Sequence, residues 1–140
     1  MRRRYGDAMR RAATILTIGL AASSLQGCMF LCEHDVTVRA PSPDGEWLAA
    51  AYVRNCGATT GFTTHVVIME KGEKPDPSGD IFVAEAGTAR RSSHGGPQVQ
   101  LRWLAPDRLR VSYGEGAEVW FQAVRKRGLY VEYEVLPKQP

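Results

Sequence analysis

Nowhere in the 140 residues is there a run of uncharged apolar side chains long enough to span a bilayer; the longest, Ala12 to Leu25, covers 14 residues, against the roughly 20 that a membrane-spanning helix requires. Motifs that announce chemistry are also missing. There is no G-x-S-x-G, H-E-x-x-H, phosphate-binding P-loop or dinucleotide fingerprint, and no carboxylate pair stands out for acid–base work. The chain has three histidines and three cysteines. Beyond residue 35 no apolar helical periodicity is found. These absences remove the recognisable hydrolase, nucleotide and zinc-protease classes, and the expectation is a protein that is not an enzyme and carries no cofactor and no metal.

What is present begins with a sharp asymmetry. Arg2, Arg3, Arg4, Arg10 and Arg11 form a basic start, followed by the apolar stretch, a pattern expected of a secretory signal with its n- and h-regions. Residues 1–27 are therefore read as a cleaved signal helix, with a retained membrane anchor as the competing reading. The formal charge of +3 belongs to that segment. Five of the 18 basic residues and one of the 15 acidic ones, Asp7, lie within it, which leaves 13 basic against 14 acidic residues, a net charge of −1. A nucleic-acid partner would need a basic patch or stripe, and the processed balance excludes one as an expectation. Arg90-Arg91 and Arg125-Lys126-Arg127 read as solvated turns.

Leu25-Gln26-Gly27-Cys28 resembles the lipobox of bacterial lipoproteins. That resemblance implies a lipid on the Cys28 thiol, cleavage just before Cys28, and a protein held in the cell envelope. Met29 stands where an Asp would favour inner-membrane retention, so the periplasmic face of the outer membrane is expected if the host has two membranes. With Cys28 lipidated, Cys32 and Cys56 remain as a pair, and an oxidising compartment lets a disulfide persist. The competing reading keeps two reduced thiols, one of them reactive. Residues 28–34 are assigned to a short lipid-anchored tether and 35–140 to a single domain.

From Asp35 onward the pattern is β. Val99, Leu101 and Trp103 alternate with Gln98, Gln100 and Arg102; Leu109, Val111 and Tyr113 alternate with Arg108, Arg110 and Ser112; Leu129, Val131, Tyr133 and Val135 alternate with Tyr130, Glu132 and Glu134. Period-two alternation puts one face on a core and the other in water. Strands are expected at 35–39, 46–54, 63–70, 80–85, 98–104, 107–113, 118–125 and 129–136, giving an all-β fold: a compact antiparallel sandwich or rolled meander of about 7–8 strands. Strand 118–125, apolar on both faces, is expected to be central or covered on both sides. Trp47, Trp103, Tyr113, Trp120 and Phe121 are expected to pack in the core, and 71–79 and 86–97 to be exposed loops.

The distinctive segment runs from Arg54 to His65 and combines a Cys, two glycines, four threonines and a His. Together with Ser42-Pro43-Asp44-Gly45, the Asn55-Cys56-Gly57-Ala58-Thr59-Thr60-Gly61-Phe62 motif resembles a group of small uncharacterised bacterial envelope proteins; the likeness spans about residues 32–115 and implies no activity. Four physical readings stand for this loop. It is a structural device, with Cys56 bridged and threonines bonded to backbone. It is a binding surface, in which Asn55, Gly57, Thr59, Thr60, Gly61, Thr63 and His65 cradle an anion or a glycan. It is a thiol enzyme, with Cys56 as nucleophile and His65 as base. It is a metal site built from Cys32, His34, Cys56 and His65. The leading expectation is a non-enzymatic, lipid-anchored binding or structural module whose partners are the membrane, through Cys28, and an envelope protein or cell-wall glycan; the alternative is an inhibitor of an envelope enzyme on a small β scaffold.

Overall fold

The computed structural model describes residues 32–57, 60–76 and 80–138. Contacts divide the chain after Leu31, and the described residues all belong to the unit Cys32–Pro140. Cys28 and Thr59 lie outside the described residues. Those residues form an all-β sandwich of nine strands: β1 (Glu33–Pro41), β2 (Trp47–Asn55), β3 (Thr63–Glu70), β4 (Asp80–Glu85), β5 (Val99–Ala105), β6 (Arg108–Gly114), β7 (Glu118–Gln122), β8 (Arg125–Lys126) and β9 (Leu129–Leu136). One sheet has the order β1-β2-β3-β4-β7, the other β5-β6-β9-β8. β1 begins at Glu33, so the end of the 28–34 segment is already strand.

The core lies between the sheets. Ala49, Ala51, Val66, Ile68, Ile81, Phe82 and Ala84 from the first sheet meet Val99, Leu109, Val111, Leu129 and Val131 from the second. Alternation dictates this in β5, β6 and β9, whose polar partners face outward, where Arg108 and Arg110 pair with Glu132 and Ser112 donates to Glu134. β2 and β3 are different. Their other face carries a second buried cluster, Ala50, Tyr52, Val67 and Met69 with Leu48 packed against it, and this explains why both strands read as continuous apolar runs. Trp47, Trp103 and Tyr113 pack against the main core as expected, and the indole of Trp103 donates to the Ala40 carbonyl at 2.8 Å, tying β5 to β1.

Local chemistry sets the turns. In the β1–β2 hairpin the buried Ser42 accepts the Trp47 amide on its hydroxyl at 3.0 Å, exchanges backbone bonds with Gly45 and Trp47, and donates to the Asp44 carboxylate. That bond and the Glu46 amide hold the Asp44 carboxyl below its ordinary range. Gly45 has φ 75° there, a conformation that favours glycine. In the β8–β9 turn Arg127 and Gly128 take φ 51° and 83° between the paired Lys126 and Leu129, the geometry of a two-residue hairpin whose twist matches the strands.

Three expectations are corrected. The apolar run 118–125 is not a central or doubly covered strand. β7 forms the edge of the first sheet, the chain then crosses, and β8 joins the second sheet. Trp120 is left out of the β7–β4 register, in which Phe121 opposes Val83 and Val119 opposes Ala84. Trp120 and Phe121 are therefore not core residues; they are 61% and 48% exposed, and Val124 at the crossing is 67% exposed. The apolarity on both faces reflects a bulge and a change of sheet, not double coverage. Second, the pairing is not wholly antiparallel: β6 and β9 run parallel from Arg108↔Tyr130 to Gly114↔Leu136, since the chain between them passes through the other sheet. Third, 86–97 is not simply an exposed loop. Ala86, Ala89, Gly96 and Pro97 are buried, and Arg91 bridges Pro97.

Candidate functional site

Cys32 enters β1 and Cys56 leaves β2, and antiparallel pairing places Glu33 opposite Asn55. The register therefore delivers the two cysteines to the same end of adjacent strands. Their Cα atoms are 4.0 Å apart and their sulfurs are bonded, as the pairing of the two residues anticipates. The bond staples the first described residue to the loop that follows β2.

That loop satisfies itself. The Asn55 side-chain oxygen accepts the Gly57 amide at 3.1 Å, and the Gly57 carbonyl accepts both the amide and the hydroxyl of Thr60, each at 3.2 Å. Two amides that an anion would need are thus occupied. A side chain on Gly61 would meet the Glu85 carboxylate at 2.6 Å, which places negative charge beside the loop. Phe62 lies against Gly95, where an added Cβ would come within 2.7 Å of its ring. The Thr64 hydroxyl donates to the Pro97 carbonyl at 2.8 Å, joining the base of the loop to the 92–97 segment. Gly57, Thr60 and Gly61 are exposed, Asn55 and Thr63 half-buried and His65 buried.

Thr63 and His65 belong to a second group that sequence reasoning did not assemble. Both stand on the outer face of β3. Tyr52, opposite His65 in the register, stacks on its ring with centroids 5.0 Å apart, and His34 of β1 lies 5.6 Å beyond. Asp80, at the start of β4, takes His65 Nδ1 at 2.7 Å and the Tyr52 hydroxyl at 3.1 Å. With Nδ1–H donating, a neutral ring leaves Nε2 to accept the Thr63 hydroxyl at 3.0 Å. Burial, and then the Asp80 charge, push the Tyr52 phenol well above its ordinary range. Arg54 extends this face, reaching toward Cys32 Sγ at 3.5 Å while its Nε is buried without a partner.

The hydroxyl–imidazole–carboxylate connectivity is that of a nucleophile, its base and an orienting acid. Catalysis also requires room for a substrate and donors for a developing oxyanion. Neither cleft described below is lined by Thr63 or His65. The arrangement instead satisfies buried polar atoms across β1 to β4. Asp80 lies outside the Arg54–His65 segment, and the strand alternation that unites Tyr52 and His65 was the available signal. The Cys56–His65 pair is not brought together as nucleophile and base: the Cys56 sulfur is bonded to Cys32, and both imidazole nitrogens of His65 are engaged by Asp80 and Thr63. The same bond takes both thiolates from the Cys32, His34, Cys56 and His65 metal set.

A cleft of about 480 Å³ lies between the 88–90 segment, β5 and the end of β9, with Arg90, Gln98, Gln100, Glu115, Leu136 and Lys138 among its walls. A smaller one of about 310 Å³ adjoins Trp47 and Glu70. Comparison with family models, curated proteins and solved structures yields no match to this chain.

Proposed function

We propose that this chain is a lipid-anchored bacterial envelope protein whose β-sandwich is a non-enzymatic binding module. The observation that carries the reading is the Cys32–Cys56 bond. It accounts for two of three cysteines, presupposes an oxidising compartment, and leaves Cys28, preceded by Leu25-Gln26-Gly27, as the odd thiol. Such a leftover in an exported protein calls for its own chemistry, and acylation supplies it. Replacing Cys28 by Ser should release the protein from the membrane fraction or leave it as the unprocessed precursor. Unchanged size and membrane attachment would sink the reading.

For the partner, the cleft fits better than the 57–62 loop. The loop's Gly57 and Thr60 amides are spent internally, whereas Arg90, Gln98, Gln100 and Lys138 offer donors around a concavity. Amide and cationic donors with a partly apolar floor suit a cell-wall glycan bearing carboxylates or a peptide terminus. Arg90→Ala combined with Gln100→Ala should abolish co-sedimentation with purified cell wall while leaving the unfolding midpoint nearly unchanged.

A further inference from the structure

The position of the disulfide defines which end of the sandwich faces the bilayer. This inference rests on the lipid anchor at Cys28. Between that residue and Cys32 lie only Met29, Phe30 and Leu31. Four residue steps span at most about 14 Å, and the bond to Cys56 adds a Cα separation of 4.0 Å. The headgroup layer on each side of the hydrocarbon is itself about 6 Å thick. The three connecting side chains are all apolar, so water is the less favourable medium for them, and the usable length shrinks further as they enter the interface. The loop that leaves Cys56 is thus held within reach of the headgroups. On it Phe62 leaves 38% of its surface exposed and rests on Gly95 of the neighbouring 92–97 segment. An aromatic side chain at that height suits the interfacial layer.

We infer that the loop end of the sandwich, formed by Thr60, Gly61 and Phe62 with His94 and Gly95, lies on the phospholipid headgroup surface. The Ser42–Glu46 turn, at the other end of the nine-residue β1 and about 30 Å away, points from the membrane into the envelope space. The Asn55–Phe62 motif then serves as a foot: the disulfide sets where it stands, and the packing of Phe62 on Gly95 keeps it flat. The 57–62 loop on this view meets lipid, and the cleft lined by Arg90 and Gln100 is left for another ligand.

The test is hydrogen exchange on the full lipidated protein in phosphatidylethanolamine–phosphatidylglycerol vesicles. It is compared with a variant carrying a long Gly-Ser spacer between Leu31 and Cys32, which keeps the anchor and the disulfide but removes the length restraint. Amides of Thr60, Gly61, Phe62, His94 and Gly95 should exchange severalfold more slowly in the native protein than in the spacer variant, with the Gly45 and Glu46 amides alike in both. Equal exchange at the loop while both proteins sediment with vesicles would overturn the inference and leave the anchor standing. So would slowing confined to β7, which would put a different face on the bilayer. A protein that does not sediment, or whose Cys28 shows no acyl mass, would overturn the anchor and this inference together.

Discussion

At the scale of single residues, two glycines in the same region answer to different constraints. The neighbour of Gly61 is the far end of the Glu85 side chain, which can rotate away. Gly96 faces Thr64 Oγ1 at 2.4 Å and the Thr64 amide nitrogen at 3.2 Å, and that hydroxyl is engaged with Pro97. Gly61→Ala should therefore cost less than about 1 kcal/mol, within the range of surface substitutions. Gly96→Ala should cost about 2 kcal/mol or more, as overpacking does. Urea unfolding of the two variants separates them, and equal midpoints would contradict the packing described. Asp80 offers a second residue-scale test. Its carboxylate satisfies both Tyr52 and His65 in a buried setting, so Asp80→Ala should lose about 2–4 kcal/mol, two groups being left without a partner. Of this network only the threonine and histidine were marked in the sequence, because Asp80 and Tyr52 reach them through strand register and a bulge at Val66/Val67, which local pattern does not encode.

At the scale of elements, the strands most legible in the sequence are those with one wet face. β5, β6 and β9 were placed to within a residue or two because their alternation follows from a single buried side. β3 and β4 were found at their observed bounds, 63–70 and 80–85, since both are flanked by Gly-rich or Pro-rich chain. The stretch 118–125 was misplaced for a physical reason: a bulge shifts the phase at Trp120 and a crossing restarts it at Arg125, so residues of both phases are apolar although several are exposed. Replacing Trp120 by Thr should accordingly shift stability by less than about 0.5 kcal/mol, where a core tryptophan truncation costs 3 kcal/mol or more. The turn after β8 is the contrasting case. Gly128 has φ 83° and open space around it, so the cost of Gly128→Ala is purely conformational, about 1 kcal/mol.

At the scale of the whole molecule, two buried phenols set an alkaline limit. Burial raises Tyr52 and Tyr133 above the ordinary tyrosine range; Tyr133 donates to the carbonyls of Ile81 and Ala123 at 2.6 and 3.0 Å. In the unfolded chain both ionise near pH 10. Above that pH the unfolded state binds fewer protons than the native one, so stability falls as pH rises, by up to about 1.4 kcal/mol per pH unit for each phenol. Tyr133→Phe should roughly halve that slope, whatever it does to stability at neutral pH. Reduction of the disulfide, which closes a separation of 24 residues, should lower stability by about 3 kcal/mol on the chain-entropy account, measurable as a fall in the urea midpoint under thiol reductant.

The parallel pairing of β6 with β9 governs the order in which the molecule can be completed. As the chain emerges from its N-terminal end, β1 to β4 assemble by successive hairpins, and β5 with β6 by another. β9 belongs between β6 and β8, and it arrives last. Until then β6 shows a bare row of amides and carbonyls, the kind of edge on which polypeptides aggregate. Shortening the chain before Leu129 would make that vulnerability permanent, because no earlier segment can take the vacant place.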